Sequence, residues 1–140
     1  MTPTNWTRPA AALAVAIALS TLVGCGSEGR AISGEVTVDG QPMEDGAILF
    51  VPDGGGAGRS EVGASIVNGK YSVEEGRGPK PGKYKVQIRW MKKTGRKLQG
   101  ADGIEDEKVQ ALPAKFNTET TLTAEVKGGK NTINFPVTSH

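Results

Sequence analysis

A two-residue alternation of apolar and polar side chains is the feature that most constrains the fold. In segment 83–91, Tyr84, Val86, Ile88 and Trp90 share one phase, and the residues between them are charged or amide-bearing. Because successive residues of a strand point to opposite faces, this pattern predicts a half-buried strand. The alternation recurs at 32–38, 122–126 and 133–137. No segment shows a convincing helical period, so the sequence predicts an all-β protein.

Turn signals separate the predicted strands. Asn68-Gly69 lies between segments 62–67 and 70–74 and predicts a tight hairpin, since both central residues of the favoured turn need positive φ. Asp39-Gly40 ends the first strand in a similar way. Segment 46–52 is apolar on both phases, which predicts a central strand.

The strands and turns together predict an antiparallel Greek-key β-sandwich of about seven strands. Segment 92–117 does not fit this pattern, because it is too long for a simple connection between neighbouring strands. Long connections in compact domains are often functional or disordered. We therefore expect a long loop here.

The N-terminal segment has the features of a secretory signal. Arg8 supplies positive charge, and the apolar stretch 10–23 is shorter than the roughly 20 residues of a comfortable membrane span. Leu22-Val23-Gly24 then precede Cys25, the single cysteine. This pattern resembles the lipobox of bacterial lipoproteins, which implies cleavage before Cys25 and acylation of its thiol and new amine. The alternatives are an ordinary signal peptide with a chance cysteine, or a buried free thiol.

These boundaries divide the chain into a signal peptide (1–24), a lipidated cysteine with a short tether (25–31) and one β-sandwich domain (32–138). The lipobox resemblance implies a membrane partner and an extracytoplasmic location, facing the periplasm or on the outer membrane or cell surface. Gly26 stands where an Asp commonly retains proteobacterial lipoproteins in the inner membrane, which favours the outer membrane.

Three segments, 32–42, 46–52 and 81–86, together resemble a known family. The first follows the pattern G-x-V-x-x-D-G-x-P and the third the pattern P-G-x-Y-x-V. They are similar to carboxypeptidase regulatory-like domains, which have a transthyretin-like (prealbumin-like) sandwich fold. Segment 112–117 and the final hairpin also look like the ends of small lipoproteins with this domain. The resemblance implies a non-catalytic accessory that is stabilising, adhesive, or binds sugars or proteins.

Active relatives of that family carry residues that this chain lacks. Transthyretin-like hydroxyisourate hydrolases use histidines and an arginine, whereas the single histidine here is His140. Adhesin relatives form an isopeptide bond from a lysine on the first strand, and segment 32–38 has no lysine. We therefore predict no catalytic residues and no enzyme activity.

The predicted long loop carries the candidate binding residues. Its basic half and the flanking aromatic residues comprise Trp90, Lys92, Lys93, Arg96, Lys97 and Phe116. The basic half could grip an anionic polymer or a phospholipid head group, or it could pair weakly with the acidic half, Asp102 to Glu107, in a solvated loop. Trp90 and Phe116 could stack on a sugar, or they could line the rim of the core.

The remaining composition bounds partners and cofactors. Lys and Arg number 17 against 15 Asp and Glu, a net charge of +2, which argues against nucleic-acid binding. Without thiolates or internal histidines we expect no transition metal, and the acidic half lacks the spacing of an EF-hand. No cofactor is predicted. The sequence thus predicts a lipid-anchored, non-catalytic binding or structural module of the cell envelope, with a carbohydrate-binding accessory as the alternative and a hydrolase third.

Overall fold

The protein is built almost entirely of strands in the computed structural model, which describes residues 29–55 and 58–140. The strands are β1 (Ile32–Val38), β2 (Gln41–Pro42), β3 (Asp45–Pro52), β4 (Val62–Val67), β5 (Lys70–Val73), β6 (Gly82–Arg89), β7 (Met91–Gly100), β8 (Gly103–Gln110), β9 (Thr123–Val126), β10 (Asn131–Thr132) and β11 (Phe135–Val137). One 3₁₀ turn, Ala114–Phe116, follows β8. The predicted all-β class is confirmed.

Nine of these strands form one curled sheet in the order β10-β1-β5-β4-β3-β6-β9, with β11 and β2 also paired to β1. The β4–β5 pair is joined only at Val67 and Lys70, next to their turn. The sheet therefore opens between β4 and β5 and folds over into two layers. One layer holds β1, β5, β10 and β11, and the other holds β3, β4, β6 and β9.

Pairing within the sheet is antiparallel at β1–β5, β3–β4, β3–β6 and β6–β9. The last two strands differ, because β10 and β11 run parallel to β1. The chain reaches that position from β9 through the turn at 127–130, so the final strands cross to the other layer instead of pairing with β9. β3 is central, as its two-phase apolar pattern predicts.

The core fills the space between the two layers. Phe50 of β3 is fully buried, and its ring centroid lies 5.9 Å from Tyr71, 6.5 Å from Tyr84 and 6.4 Å from Phe135. These four rings belong to β3, β5, β6 and β11, so they join both layers. Most residues on the predicted inward phases are buried, among them Ile32, Val36, Val38, Val86, Ile88, Ala124, Val126 and Val137.

The Asn68-Gly69 turn forms as predicted. Asn68 has φ of 50° and Gly69 has φ of 77°, the positive values that the tight hairpin requires. The turn also packs against the segment that leads into β3, since the Gly69 N–H donates to the Met43 carbonyl at 2.6 Å. Asp39 and Gly40 repeat the conformation with φ of 50° and 81°.

The domain has two distinct ends. At the first, which we call the tether end, the Arg30 N–H donates to the Pro79 carbonyl at 2.9 Å and the Gly76 N–H to the Gly29 carbonyl at 2.9 Å. Packing there is tight, because a Cβ on Gly78 would lie 1.8 Å from the Arg30 carbonyl oxygen. β1 and β6 both start at this end. They finish at the opposite end, which we call the hairpin end. There Trp90 alone separates the end of β6 from the start of β7.

Candidate functional site

Segment 92–117, expected to be a long loop, is largely a β-hairpin. β7 and β8 pair antiparallel from Met91 and Gln110 at the base to Gly100 and Gly103 at the tip. They form a two-stranded sheet of their own, separate from the nine-stranded sheet. The sequence could not indicate these strands by alternation, because neither face of the hairpin is buried. Nine of the ten residues of β7 are exposed.

The base of the hairpin is fastened by one amide side chain. The Gln110 Oε1 accepts from the Trp90 backbone N–H at 2.9 Å and from the Leu112 N–H at 3.2 Å. The Ala111 N–H donates to the Trp90 carbonyl at 2.8 Å. These bonds connect the hairpin to the end of β6 and to buried Leu112.

An acidic residue of β8 organises the charges of the hairpin. Asp106 binds both Lys93, with Nζ 2.7 Å from Oδ2, and Lys97, whose Nζ contacts Oδ1. Hydrogen bonds from the two lysines lower the pKa of Asp106 to about 2, and the Asp106 hydrogen bond raises the pKa of Lys93. Two of the four predicted basic residues therefore pair across the strands within the hairpin.

The other two basic candidates have different surroundings. Lys92 lies over the Trp90 ring with its Nζ 4.3 Å from the centroid. Arg96 is exposed in an irregular stretch of β7, where the register shifts between Lys93 and Lys97. The Arg96 backbone N–H donates to the Thr94 hydroxyl at 3.2 Å. Arg96 is thus a cation on the bulged part of the hairpin.

The two candidate aromatic residues offer little open ring surface. Trp90 is half-buried and packs against the core, with Lys92 over its ring. Phe116 is 9 % exposed and belongs to the core, and Lys115 lies 5.1 Å from its ring centroid. The structure brings neither ring into a shared platform with Lys93, Arg96 and Lys97, which lie farther out on the hairpin.

Apolar side chains on the hairpin were not singled out from the sequence. Among the described residues, five large hydrophobic side chains are exposed: Val67, Met91, Leu98, Ile104 and Val109. Four of them lie on β7 and β8. Leu98 is 51 % exposed and Ile104, the most exposed, is 71 %. The sequence does contain a signal for them. These apolar residues interrupt a charged stretch, and no other large apolar residue lies two positions away, as a buried strand face would require.

A shallow open groove of about 560 Å³ lies where β4 and β5 separate. Its walls include Ser65 of β4, Ser72 of β5 and the loop residues Glu74 and Arg77. Sequence analysis did not indicate this groove, because it follows from the divergence of two strands that are joined at their turn. The groove is open along the strands, and its titratable lining residues are Glu61, Glu74 and Arg77.

The predicted anchor residues Leu22, Val23, Gly24 and Cys25 lie outside the described residues. Within the described part of the chain, no helix is long and apolar enough to cross a membrane. In the same part, no group of three or more His, Cys, Asp or Glu side chains is placed to hold a metal ion.

Comparisons with known proteins add one structural likeness. No protein-family model matches the sequence, and no curated protein matches it. Among solved structures, a DUF3823 family protein from Parabacteroides merdae matches with a TM-score of 0.41 and 16 % sequence identity. The match covers 77 % of this chain and 45 % of that chain, so this chain spans less than half of that protein's length. No function is transferred from it.

Proposed function

We propose that the protein is a lipid-anchored, non-catalytic module of the bacterial cell envelope that contacts a partner protein through the β7–β8 hairpin. The anchor is Cys25, within the lipobox Leu22-Val23-Gly24-Cys25. The observation that carries the proposal is the concentration of exposed large apolar side chains on the hairpin, four of the five in the described residues. Leu98 shares a face of the hairpin with Glu105, and Ile104 shares the other face with Gln99, so each face presents one exposed apolar side chain to a partner.

The hairpin's energetics support a role in binding. An isolated two-stranded hairpin is marginally stable in water, because it has no buried face. Here the hairpin is held by cross-strand ion pairs at Asp106 and by the Gln110 bonds at its base. Exposed ion pairs of this kind contribute little to stability, because water screens the charges. Such an element gains stability when a partner covers the face that carries Leu98 or the face that carries Ile104.

The placement of the hairpin supports the same role. Gly29, the first described residue after Cys25, lies at the tether end, and the hairpin leaves the opposite end. β7 has ten residues, a length of about 33 Å at about 3.3 Å per residue. A hairpin that leaves this end is accessible to proteins away from the membrane surface.

The proposal assigns no catalytic step. Among the described residues, burial raises the pKa values of Tyr71 and Tyr84, hydrogen bonds from Ser139 lower the pKa of Asp39, and the mutual hydrogen bond shifts the pKa values of Lys93 and Asp106. Each shift has a structural cause, either burial or a surface hydrogen bond. The carbohydrate-binding alternative stays a prediction, and it needs an aromatic face that Trp90 and Phe116 offer only in part.

Site-specific photo-cross-linking in intact cells tests the hairpin contact. A photo-reactive residue replaces Leu98 or Ile104 in the full-length protein, and the matched control replaces Val67, which is 58 % exposed and lies outside the hairpin. We expect both hairpin positions to capture the same protein, identified by mass spectrometry, and Val67 not to capture it. Capture at Val67 alone, or different proteins from the two hairpin positions, would contradict the proposal.

The anchor is tested separately by Cys25→Ser. We expect this variant to lose lipid labelling and to be released from the membrane fraction or left unprocessed, because a hydroxyl does not replace the thiolate as acyl acceptor. Unchanged lipid labelling would contradict the assignment of Cys25 as the anchor. The hairpin contact would then depend on the cross-linking result alone. Co-capture of envelope glycan that is lost in Trp90→Ala would instead favour the carbohydrate-binding alternative.

A further inference from the structure

We propose that the tether end of the domain docks on an anionic membrane surface through a cationic cluster formed by Lys127, Lys130 and Arg77. This inference rests on the proposed Cys25 anchor but not on the hairpin contact. Its partner is the layer of anionic phospholipid head groups that surrounds the anchor. The cluster contributes a second, electrostatic attachment beside the acyl chains.

The fold places these side chains close to the point where the tether enters. The Asn131 N–H donates to the Ala31 carbonyl at 2.9 Å, which fixes the turn Lys127–Lys130 beside the start of β1. The Asn131 amide also closes that turn, since Nδ2 donates to the carbonyls of Lys127 at 3.0 Å and Gly129 at 3.1 Å. Two lysines of a rigid turn thus lie next to the first described residues.

The segment Arg77–Lys80 lies at the same place. The Pro79 carbonyl accepts from the Arg30 N–H at 2.9 Å, and the Lys80 carbonyl accepts from the Tyr84 hydroxyl at 2.7 Å. Gly82, at the start of β6, pairs with Val126 directly before the lysine turn. Both cationic segments therefore flank the beginning of β1 and β6.

Covalent geometry limits how far this end can lie from the membrane. Cys25 precedes Gly29 by four residues, so their Cα atoms are at most about 14 Å apart, at about 3.5 Å per residue. An acylated Cys25 lies at the level of the head groups. That upper limit is less than two Debye lengths of about 8–10 Å, so a cation beside Gly29 lies within range of the surface potential.

Three charges of this end are available for the contact. Lys127, Lys130 and Arg77 are exposed, and none of them forms an ion pair within residues 29–55 and 58–140. The carboxylates of this end include Glu74 and Glu75 on the β5 side, where Glu75 is within 3.7 Å of the Arg30 guanidinium, and Asp53 and Glu125 beside Lys83. Each lysine or arginine near an anionic leaflet contributes about 1 kcal/mol, about a fivefold change in equilibrium constant.

The experiment measures how the tether end meets the bilayer. Full-length lipoprotein carrying Gly128→Cys is spin-labelled and reconstituted into vesicles of phosphatidylglycerol or of phosphatidylcholine. Gly128 lies in the lysine turn, and a Cβ there meets nothing within 4 Å. The matched control carries the label at Ala101→Cys, in the exposed tip of the hairpin. The readout is the collisional accessibility of the label to a water-soluble relaxation agent.

We expect accessibility at position 128 to fall severalfold on phosphatidylglycerol but not on phosphatidylcholine, and to recover in high salt. The double substitution Lys127→Ser with Lys130→Ser should abolish the fall, and the label at 101 should not respond to lipid charge. Equal accessibility at position 128 on both lipids, or no effect of the double substitution, would overturn the proposal.

Failure of the anchor gives a different result. If Cys25 is not acylated, the protein does not float with vesicles of phosphatidylcholine, and it carries two labelled thiols instead of one. A protein that floats with one label but shows no response to lipid charge refutes the docking surface alone.

Discussion

Asp106 is the residue whose chemistry the structure defines most sharply. Two lysine ammonium groups donate hydrogen bonds to its carboxylate, which lowers its pKa to about 2. A lowered pKa means that the folded hairpin favours the ionised carboxylate. These bonds therefore contribute fully to the free energy of unfolding above the unfolded pKa near 3.8. That contribution is lost as the pH falls through about 2.

The titration of Asp106 tests this account. We expect its carboxyl carbon, followed by NMR, to titrate with a midpoint near pH 2, and the midpoint to rise towards 3.8 in Lys93→Ala, whose hydrogen bond is the largest cause of the shift. Lys108→Ala, in the same strand but outside the ion pair, is the control. A midpoint of about 3.8 in the unmodified protein would mean that the lysines do not hold Asp106 in solution.

At the scale of the element, the β7–β8 hairpin is separable from the sandwich. Its strands pair with each other and not with the nine-stranded sheet. Its exposed side chains contribute nothing to the core. Removal of the hairpin should therefore leave the rest of the fold intact.

Replacement of residues 93–108 by Asn-Gly tests this separation. Lys92 and Val109 are directly paired, so the two new residues would close them in a tight turn. We expect the free energy of unfolding, from urea titration followed by circular dichroism, to change by less than about 1 kcal/mol, as for surface changes. Loss of cooperative unfolding would show instead that the hairpin supports the core.

At the scale of the whole molecule, stability depends on contacts between the two layers. Phe50 lies at their centre and touches Tyr71 and Phe135 of the opposite layer. Its neighbour Leu49 is on the other phase of the same strand and is only half-buried. The two positions thus separate interlayer packing from strand pairing.

The pair Phe50→Ala and Leu49→Ala tests the importance of this packing. Phe50→Ala should cost about 3–5 kcal/mol of unfolding free energy, because it removes a buried ring and leaves a cavity. Leu49→Ala should cost clearly less, since the half-buried Leu49 side chain removes less apolar surface from water on folding. Both are measured by denaturant titration, and similar losses for the two variants would contradict a core centred on Phe50.

The same scale shows what sequence reasoning could find. Alternation located β1, β6, β9 and β11, because each buries one face and the period of two is then visible in the chain, and apolar residues on both phases located the central strand β3. Asn68-Gly69 located a turn, because few residue pairs adopt positive φ in succession. Alternation did not locate β7 and β8, which bury neither face, and charged residues there concealed Leu98 and Ile104.

The sequence by itself determined the all-β class, most strand positions, the tight turns and the pattern from which the Cys25 anchor is predicted. These properties depend on residues that are close together in the chain. Only the tertiary structure decided that β10 and β11 run parallel to β1, that Asp106 neutralises Lys93 and Lys97, and that Phe116 lies in the core. It also decided that the hairpin and the tether occupy opposite ends. Those properties depend on contacts between residues far apart in the chain, for which a single sequence carries no local signal.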